Sequence, residues 1–279
     1  MIVAIIGEGQ LAQCIAQEFP GETAIIGHAR LDIVTKRGFE ILDDLDPDVI
    51  VNTAAFHDLK GCEEDMAKAV DVNYHGAINL CDKADEMGVK LIHIGTDYAY
   101  QGYSKPIPES ADMRPANVYG TTKTYGMQFV LEQGHTVVNI AALWSQWPSR
   151  AKGSNFVLSM TEKAQKGQKA QVVDDLITSF TYGPHAAKAI RFIIGKPAAL
   201  YNAVNSGYAS WFDFARAIYV HTGGNPSDVF PTQYDDTPCR PTFSVLSNKK
   251  LEKMGCPIPT WEESLTEYFN HKPRWEVLQ

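Results

Sequence analysis

The sequence predicts an α/β fold, a doubly wound parallel sheet followed by a smaller, mostly helical C-terminal unit. Three observations predict it. The chain opens on a continuous apolar run, Ile2-Val3-Ala4-Ile5-Ile6, as a strand buried on both faces should. That run passes at once into Gly7-Glu8-Gly9-Gln10-Leu11-Ala12, a G-x-G-x-x-A turn before a helical pattern through Phe19. Strand and helix patterns then alternate to residue 203, which implies a parallel sheet with helices on both faces. Strand, glycine turn and helix together make the sheet Rossmann-type.

The elements follow in order. Strand 2–6 leads through the glycine turn into helix 10–19. Gly7 and Gly9 permit a tight turn and close approach of a pyrophosphate, with the helix N-terminus facing the phosphates. Strands at 23–27 and 48–52 are followed by a helix at 62–86, a strand at 90–94 and a helix at 118–133. A strand at 136–142, helices at 153–167 and 183–195 and a strand at 199–203 complete the alternation, and helices follow at 210–222 and 261–269. Beyond residue 205 strand signals thin out and breakers rise: Gly223-Gly224-Asn225-Pro226, Pro231, Pro238, Pro241, Pro257 and Pro259. Residues 1–143 and 180–204 are assigned to the dinucleotide-binding domain, and 144–179 and 205–279 to a substrate-binding domain over the C-terminal edge of the sheet.

Composition narrows the function. With 279 residues, 44% of them hydrophobic, the chain can bury a full core. A net charge of −8 without a basic run argues against a nucleic-acid partner. No charged n-region starts the chain, and no apolar run approaches the ~20 residues that span a bilayer, so a cytoplasmic location without a membrane partner is expected. Cys14, Cys62, Cys81, Cys239 and Cys256 are scattered and without C-x-x-C spacing, and read as reduced thiols. The eight histidines show no H-x-x-x-H pattern, so no metal site is expected.

The chemistry concentrates in two segments. Gly95-Thr96-Asp97-Tyr98 ends a strand, and Tyr119-Gly120-Thr121-Thr122-Lys123 starts a helix. Tyr119 and Lys123, four apart on a helix, share a face. An ammonium there would pull the phenol down from about 10, toward a poised proton donor for a carbonyl oxygen. The spacing alone is weak evidence, since Tyr268 and Lys272 repeat it with no site motif around them.

Further segments join these. They are Leu31-Asp32-Ile33, the run Pro47 to Phe56 with Asn52, Ala54 and Ala55, then Asn73 with Gly76, and Asn117 before Tyr119. On the C-terminal side stand Trp144, Asn155-Phe156-Val157, Val172-Val173-Asp174-Asp175, Ser210 to Ala215, Arg240-Pro241, Lys250-Leu251 and Trp261. In this order they resemble the dTDP-4-dehydrorhamnose reductase family of the extended short-chain dehydrogenase/reductases, over nearly the whole chain. The resemblance implies an oxidoreductase that uses NADP(H), with NAD(H) possible, to reduce the C4 ketone of a nucleotide-linked 4-keto-6-deoxy sugar, dTDP-4-dehydrorhamnose foremost. It implies a small-molecule nucleotide-sugar partner and a monomer or homodimer.

By that resemblance Thr96, Tyr119 and Lys123 are catalytic. Gly7, Gly9, Gln10, Leu11, His28, Arg30, Asp32, Ile33, Ala54, Ala55 and Asn73 hold the cofactor together with Tyr119 and Lys123. Thr96, Asp97, Tyr98, Trp144, Asn155, Phe156 and Arg240 face the substrate. Three departures stand out. The glycine turn is a residue short and ends in Ala12; Gly95 replaces a common serine; and Ala141-Ala142-Leu143 replaces a polar run before Trp144. Two alternatives stay open: a non-catalytic NADP-binding regulatory subunit of the same family, and an epimerase or dehydratase on the same fold. Dehydratases carry Thr-Asp-Glu where this chain has Thr96-Asp97-Tyr98, and a phenol protonated at neutral pH cannot replace that second carboxylate.

Several of these residues have plainer readings as well. Asp97 can serve as a turn former. Trp144 and Phe156 suit a core as well as a sugar, and Arg240 suits a solvated loop as well as a diphosphate clamp. For the cofactor, the acid that holds a ribose 2′-hydroxyl in NAD-selective folds stands about 20 residues past the turn. Here that place falls at Gly27, with His28 and Arg30 beyond it, so NADPH is expected over NADH.

Overall fold

The computed structural model describes residues 1–150, 153–235 and 237–270. Strands β1 (Val3–Ile6), β2 (Thr23–Ile26), β3 (Val49–Asn52), β4 (Lys90–Thr96), β5 (Thr136–Ile140) and the strand Leu200–Asn202 form one sheet. Its order is Leu200–Asn202, β5, β4, β3, β1, β2, and every pairing is parallel. The order reverses between β1 and β3, the switch point where ligands of such sheets bind. Helix α1 (Gln10–Glu18) and the helix Gly183–Ile193 cover one face, with Ile5, Ile15, Val51 and Ile190 all fully buried. The helices Gly76–Met87 and Val118–Glu132 cover the other, over Ala4, Ile50, Leu80 and Met127. A third core, rich in aromatic rings, gathers Trp144, Phe180, Phe214, Trp261 and Tyr268 from the later part of the chain.

All six strands expected from sequence lie in the sheet, five with trimmed ends and β4 two residues longer. The helix expected at 62–86 breaks into Leu59–Glu64, Met66–Val70, a π-helical turn Asp71–His75 and Gly76–Met87. Asp65 causes the first break: it leaves helical geometry, and its side chain accepts from Lys68 N at 3.0 Å as a new N-cap. The later part forms the helices expected at 153–167, 210–222 and 261–269 with trimmed or shifted ends, and adds short strands. Short strands pair there, Val229–Thr232 with Ala170–Val173 and Ile177–Thr178 with both Ala209–Ser210 and Phe243–Ser244. Strands this short carry too little period-2 pattern to be read from sequence. Among the described residues no helix is long and apolar enough to cross a membrane.

Candidate active site

The glycine turn is shaped for a close approach. Gly7 has φ +109°, and a Cβ there would press on Thr53 Oγ1 and the Ala54 amide. Gly9 opens α1 with no side-chain cap on the helix and no acidic residue in its first turn, and the space where its Cβ would point is empty. The free N–H groups of that first turn therefore face open space with a partial positive charge, which fits a pyrophosphate. The 53–56 loop across the switch point is fixed by Asn73. Its amide accepts from Phe56 N and donates to Phe56 O, both at 2.9 Å, and donates to Thr122 Oγ1 at 3.1 Å.

Other expected cofactor residues fall into different roles. Leu11 and Ile33 are core side chains, 3% and 5% exposed. Asp32 accepts from Val34 N and Thr35 N, closing its own turn. His28 and Arg30 are exposed, and Ala54 and Ala55 are half-buried beside Asn52. Gln10 reaches the later part of the chain, where its Oε1 accepts from Asn155 at 3.1 Å and from Ser145 at 3.3 Å.

The expectation that no carboxylate occupies the ribose end of β2 is corrected. A Cβ built on Gly27 would collide with the Glu8 carboxylate, which fills the space a side chain at 27 would take. Glu8 is paired there with Arg150. The acid reaches this place from the glycine turn, so a search along β2 cannot find it.

The helix Val118–Glu132 is capped by Asn117, which accepts from Gly120 N at 2.7 Å and donates to Cys239 O at 2.8 Å. That cap seats Tyr119 beside the end of β4. Gly120 lets this happen, because a Cβ there would strike the Tyr98 carbonyl. The Tyr119 phenol lies beside the Thr96 side chain, and its ring meets Tyr98 edge-on at 5.6 Å. Burial pushes the Tyr119 phenol up to about 12, with Asp97 and Cys62 adding to the rise and the Thr96 side chain opposing it. Gly95, in place of a serine, is explained: a side chain there would run into Asn139 Oδ1 and Met127.

Lys123 departs from the expected arrangement. Its Nζ turns to the strand behind Tyr119, 2.6 Å from Ile94 O and 3.1 Å from His93 Nε2. It is 2% exposed, and burial brings it down to about 7. Coulombic help to Tyr119 from Lys123 is absent here, so the lowered phenol read from the spacing is corrected to a raised one. The spacing places both residues on one helix face but does not fix where a long lysine chain ends.

The expected substrate residues divide. Tyr98 and Arg240 lie near one another, with Arg240 stacked 4.7 Å over the Tyr234 ring and its Nε buried without a partner among the described residues. Asp97 is turned inward, where Ser244 Oγ donates to its carboxylate at 2.6 Å, Thr178 Oγ1 at 3.3 Å and Thr96 Oγ1 at 3.4 Å. Trp144, 1% exposed and stacked on Tyr182 at 4.5 Å, is a core residue, which corrects its assignment to the substrate. Asn155 is a structural clamp. It caps the helix Phe156–Gln165 through Leu158 N and donates to Ser145 O and Trp147 O. Phe156 packs edge-on to Trp211 at 4.7 Å on the rim of the third core.

Sequence reasoning passed over His93 and Tyr234, and it quoted Glu8 and Asn52 only within their motifs, with no role of their own. His93 had a signal, a lone histidine inside the apolar strand 90–94. Tyr268 recurs in the third core, 2% exposed, and its companion Lys272 lies outside the described residues. One unexpected donor cluster, Cys81, Asp85 and His135, has metal-like spacing. His135 Nδ1 accepts from Leu91 N at 3.2 Å, whereas a metal on Nε2 would require a proton on Nδ1, so the cluster does not suit an ion.

Burial pushes Asp97 up to about 6, against the hydrogen bonds from Ser244 and Thr178. An acid whose folded pKa lies above its unfolded value adds stability at low pH, and that contribution is lost as pH rises through about 6. Wild type should therefore lose stability relative to Asp97→Asn between pH 5 and 8, as read from urea unfolding at both pH values. A constant difference would mean that Asp97 stays ionised throughout.

Known proteins match this chain over most of its length. A family model described as the RmlD substrate binding domain matches residues 1–273. The chain is 32% identical over 229 residues to the spore coat polysaccharide biosynthesis protein SpsK of Bacillus subtilis (strain 168), covering 81% of this chain and 80% of that protein. It is 30% identical over 287 residues to a dTDP-4-dehydrorhamnose reductase of Sinorhizobium fredii, covering 95% of each. The crystal structure of a dTDP-4-dehydrorhamnose reductase from Bacillus anthracis in complex with NADP superposes with a TM-score of 0.87 at 29% identity, over 97% of this chain and 99% of that one.

Proposed function

We propose, for a chain that belongs to the dTDP-4-dehydrorhamnose reductase family, the reduction of the C4 ketone of a nucleotide-linked 4-keto-6-deoxy sugar, most specifically dTDP-4-dehydrorhamnose to dTDP-rhamnose. The observation that carries the reading is the meeting of the Tyr119 and Thr96 side chains at the carboxyl end of β4, beside the switch point of the sheet. A reduced nicotinamide dinucleotide, NADPH or NADH, supplies the hydride when bound. The uncapped turn at Gly9, the 53–56 loop and Lys123 would hold it.

The remaining work falls to side chains of this chain. Tyr119 keeps its proton at neutral pH, so it can donate that proton to the C4 oxygen. Thr96 offers a second hydroxyl to the same oxygen. The phenolate left behind needs a cation nearby, the role assigned to a charged Lys123. Arg240 has an unpartnered Nε near Tyr98 and suits an anionic diphosphate. Elimination is disfavoured on the same residues. Asp97 is committed to Ser244 and Thr178, and Tyr98 is raised by burial first, so no second carboxylate faces the carbonyl.

The test is to incubate the protein separately with dTDP-glucose and with dTDP-4-keto-6-deoxy sugars, following sugars by mass and NADPH by absorbance. Stoichiometric NADPH loss with the keto sugar is expected. Dehydration of dTDP-glucose without net NADPH use would overturn the reading, and so would inertness toward every 4-keto sugar.

Glu8 bears on the choice between the two dinucleotides. Its carboxylate at Gly27 opposes a 2′-phosphate, and Arg150 partly offsets it. Glu8→Ala should raise the NADPH:NADH ratio of kcat/KM by about tenfold, the size of one screened charge contact near a surface. An unchanged ratio would place Glu8 away from the ribose.

A further inference from the structure

Three buried side chains behind Tyr119 form a chain in which every proton can be placed. Asn52 is 1% exposed, and its Oδ1 accepts from Ala54 N at 3.0 Å. That bond fixes the amide, so the NH₂ end points at His93 Nδ1, 3.0 Å away. Nδ1 must then accept, which excludes both the imidazolium and the Nδ1–H tautomer. The proton of a neutral His93 is therefore on Nε2, aimed at Lys123 Nζ at 3.1 Å. An ammonium has no lone pair to receive it, and two donors would face each other. A neutral amine satisfies the contact: it accepts from His93 and donates to Ile94 O at 2.6 Å. Burial foremost holds His93 well below its ordinary 6.5, in keeping with a neutral ring.

Among the described residues no carboxylate pairs with Lys123, and the titratable group that meets its Nζ is His93 from β4, with Tyr119 one turn away on its own helix. Next to Tyr119 come Cys62 from the helix Leu59–Glu64 and Asp97 from the end of β4.

We infer that His93 is a positioning residue that stores Lys123 as an uncharged amine, so that the ammonium needed beside Tyr119 forms only when Lys123 releases His93 and takes a proton from solvent. The inference rests on the proposed reductase reading, in which Lys123 serves the dinucleotide and Tyr119. The proton goes to Nζ, and no other bond forms or breaks. Loading the site with a dinucleotide should therefore consume protons.

The experiment is calorimetric titration of the whole protein with NADP⁺ and with NADPH, in buffers of different ionisation enthalpy, at pH 6 and pH 8. For an amine brought down to about 7, uptake approaching nine-tenths of a proton is expected at pH 8 and about a tenth at pH 6. His93→Gln places an amide that can turn its oxygen to the lysine, so Lys123 is charged beforehand. Uptake by that variant should fall several-fold at pH 8 while the dinucleotide still binds. Binding without uptake at pH 8 overturns the inference, as does equal uptake in wild type and His93→Gln. Should His93→Gln not fold, the wild-type comparison decides, and uptake that does not drop from pH 8 to pH 6 overturns it. If neither dinucleotide binds, the reductase reading itself falls, and this inference with it.

Discussion

Tyr119→Phe should lower turnover by about 10²–10⁴, the usual span for a positioned general acid. The substitution removes the phenol beside Thr96 that would give a proton to a carbonyl oxygen, and it leaves ring, helix and Asn117 cap in place. Dinucleotide affinity should change little, since the glycine turn, Asn73 and the 53–56 loop are untouched. Two neighbours serve as controls. Tyr98 lies 5.6 Å from Tyr119 ring to ring, and Tyr98→Phe should cost far less. Tyr268→Phe should leave turnover unchanged, because Tyr268 lies in the third core, edge-on to Trp144. Full activity in Tyr119→Phe with loss in either control would move the site elsewhere. Steady-state kinetics and dinucleotide titration on the same preparations give the answer.

Phe214→Ala should destabilise the fold by about 3–5 kcal/mol, the range for deleting a large buried aromatic ring. Phe214 is fully buried and stacks on Phe180 with ring centroids 3.8 Å apart. It also meets Trp144 at 6.0 Å and Trp261 at 5.6 Å, so the cavity would open among rigid rings that cannot close over it. For a chain of this length each kcal/mol lowers Tm by about 2–4 °C, which makes a fall of about 10 °C the expected order. Urea unfolding of the variant beside wild type measures it. A cost below about 1 kcal/mol would show that the third core repacks freely.

The parallel sheet was legible because each strand, buried on both faces, is a continuous apolar run, and because the glycine turn marks the first crossover. Asp65 was not legible as a helix break, since an aspartate inside a helical pattern reads the same whether it caps or faces water. The meeting of Thr96 and Tyr119 was legible from residue type and from their place at a strand end and a helix start. The end of the Lys123 chain was not, because it depends on His93 and Asn52, 30 and 71 residues earlier in the chain. Glu8 was hidden in the same way: the space it fills exists only because Gly27 stands across the fold. Trp144 and Asn155 belong to family motifs, yet they are held by Tyr182, Ser145 and Trp147. Position in a motif did not reveal which way they point.

The third core also decides what light reports about this molecule. All five tryptophans follow residue 143, and Trp144, Trp211 and Trp261 belong to that one aromatic cluster or its rim. Indole emission is therefore weighted toward the third core, while Trp147 packs on the core beneath α1. Peptide-bond ellipticity is weighted toward the large sheet and its covering helices. Melting curves recorded by the two signals weight different parts of the chain, so their coincidence would be direct evidence that these parts unfold as one cooperative body.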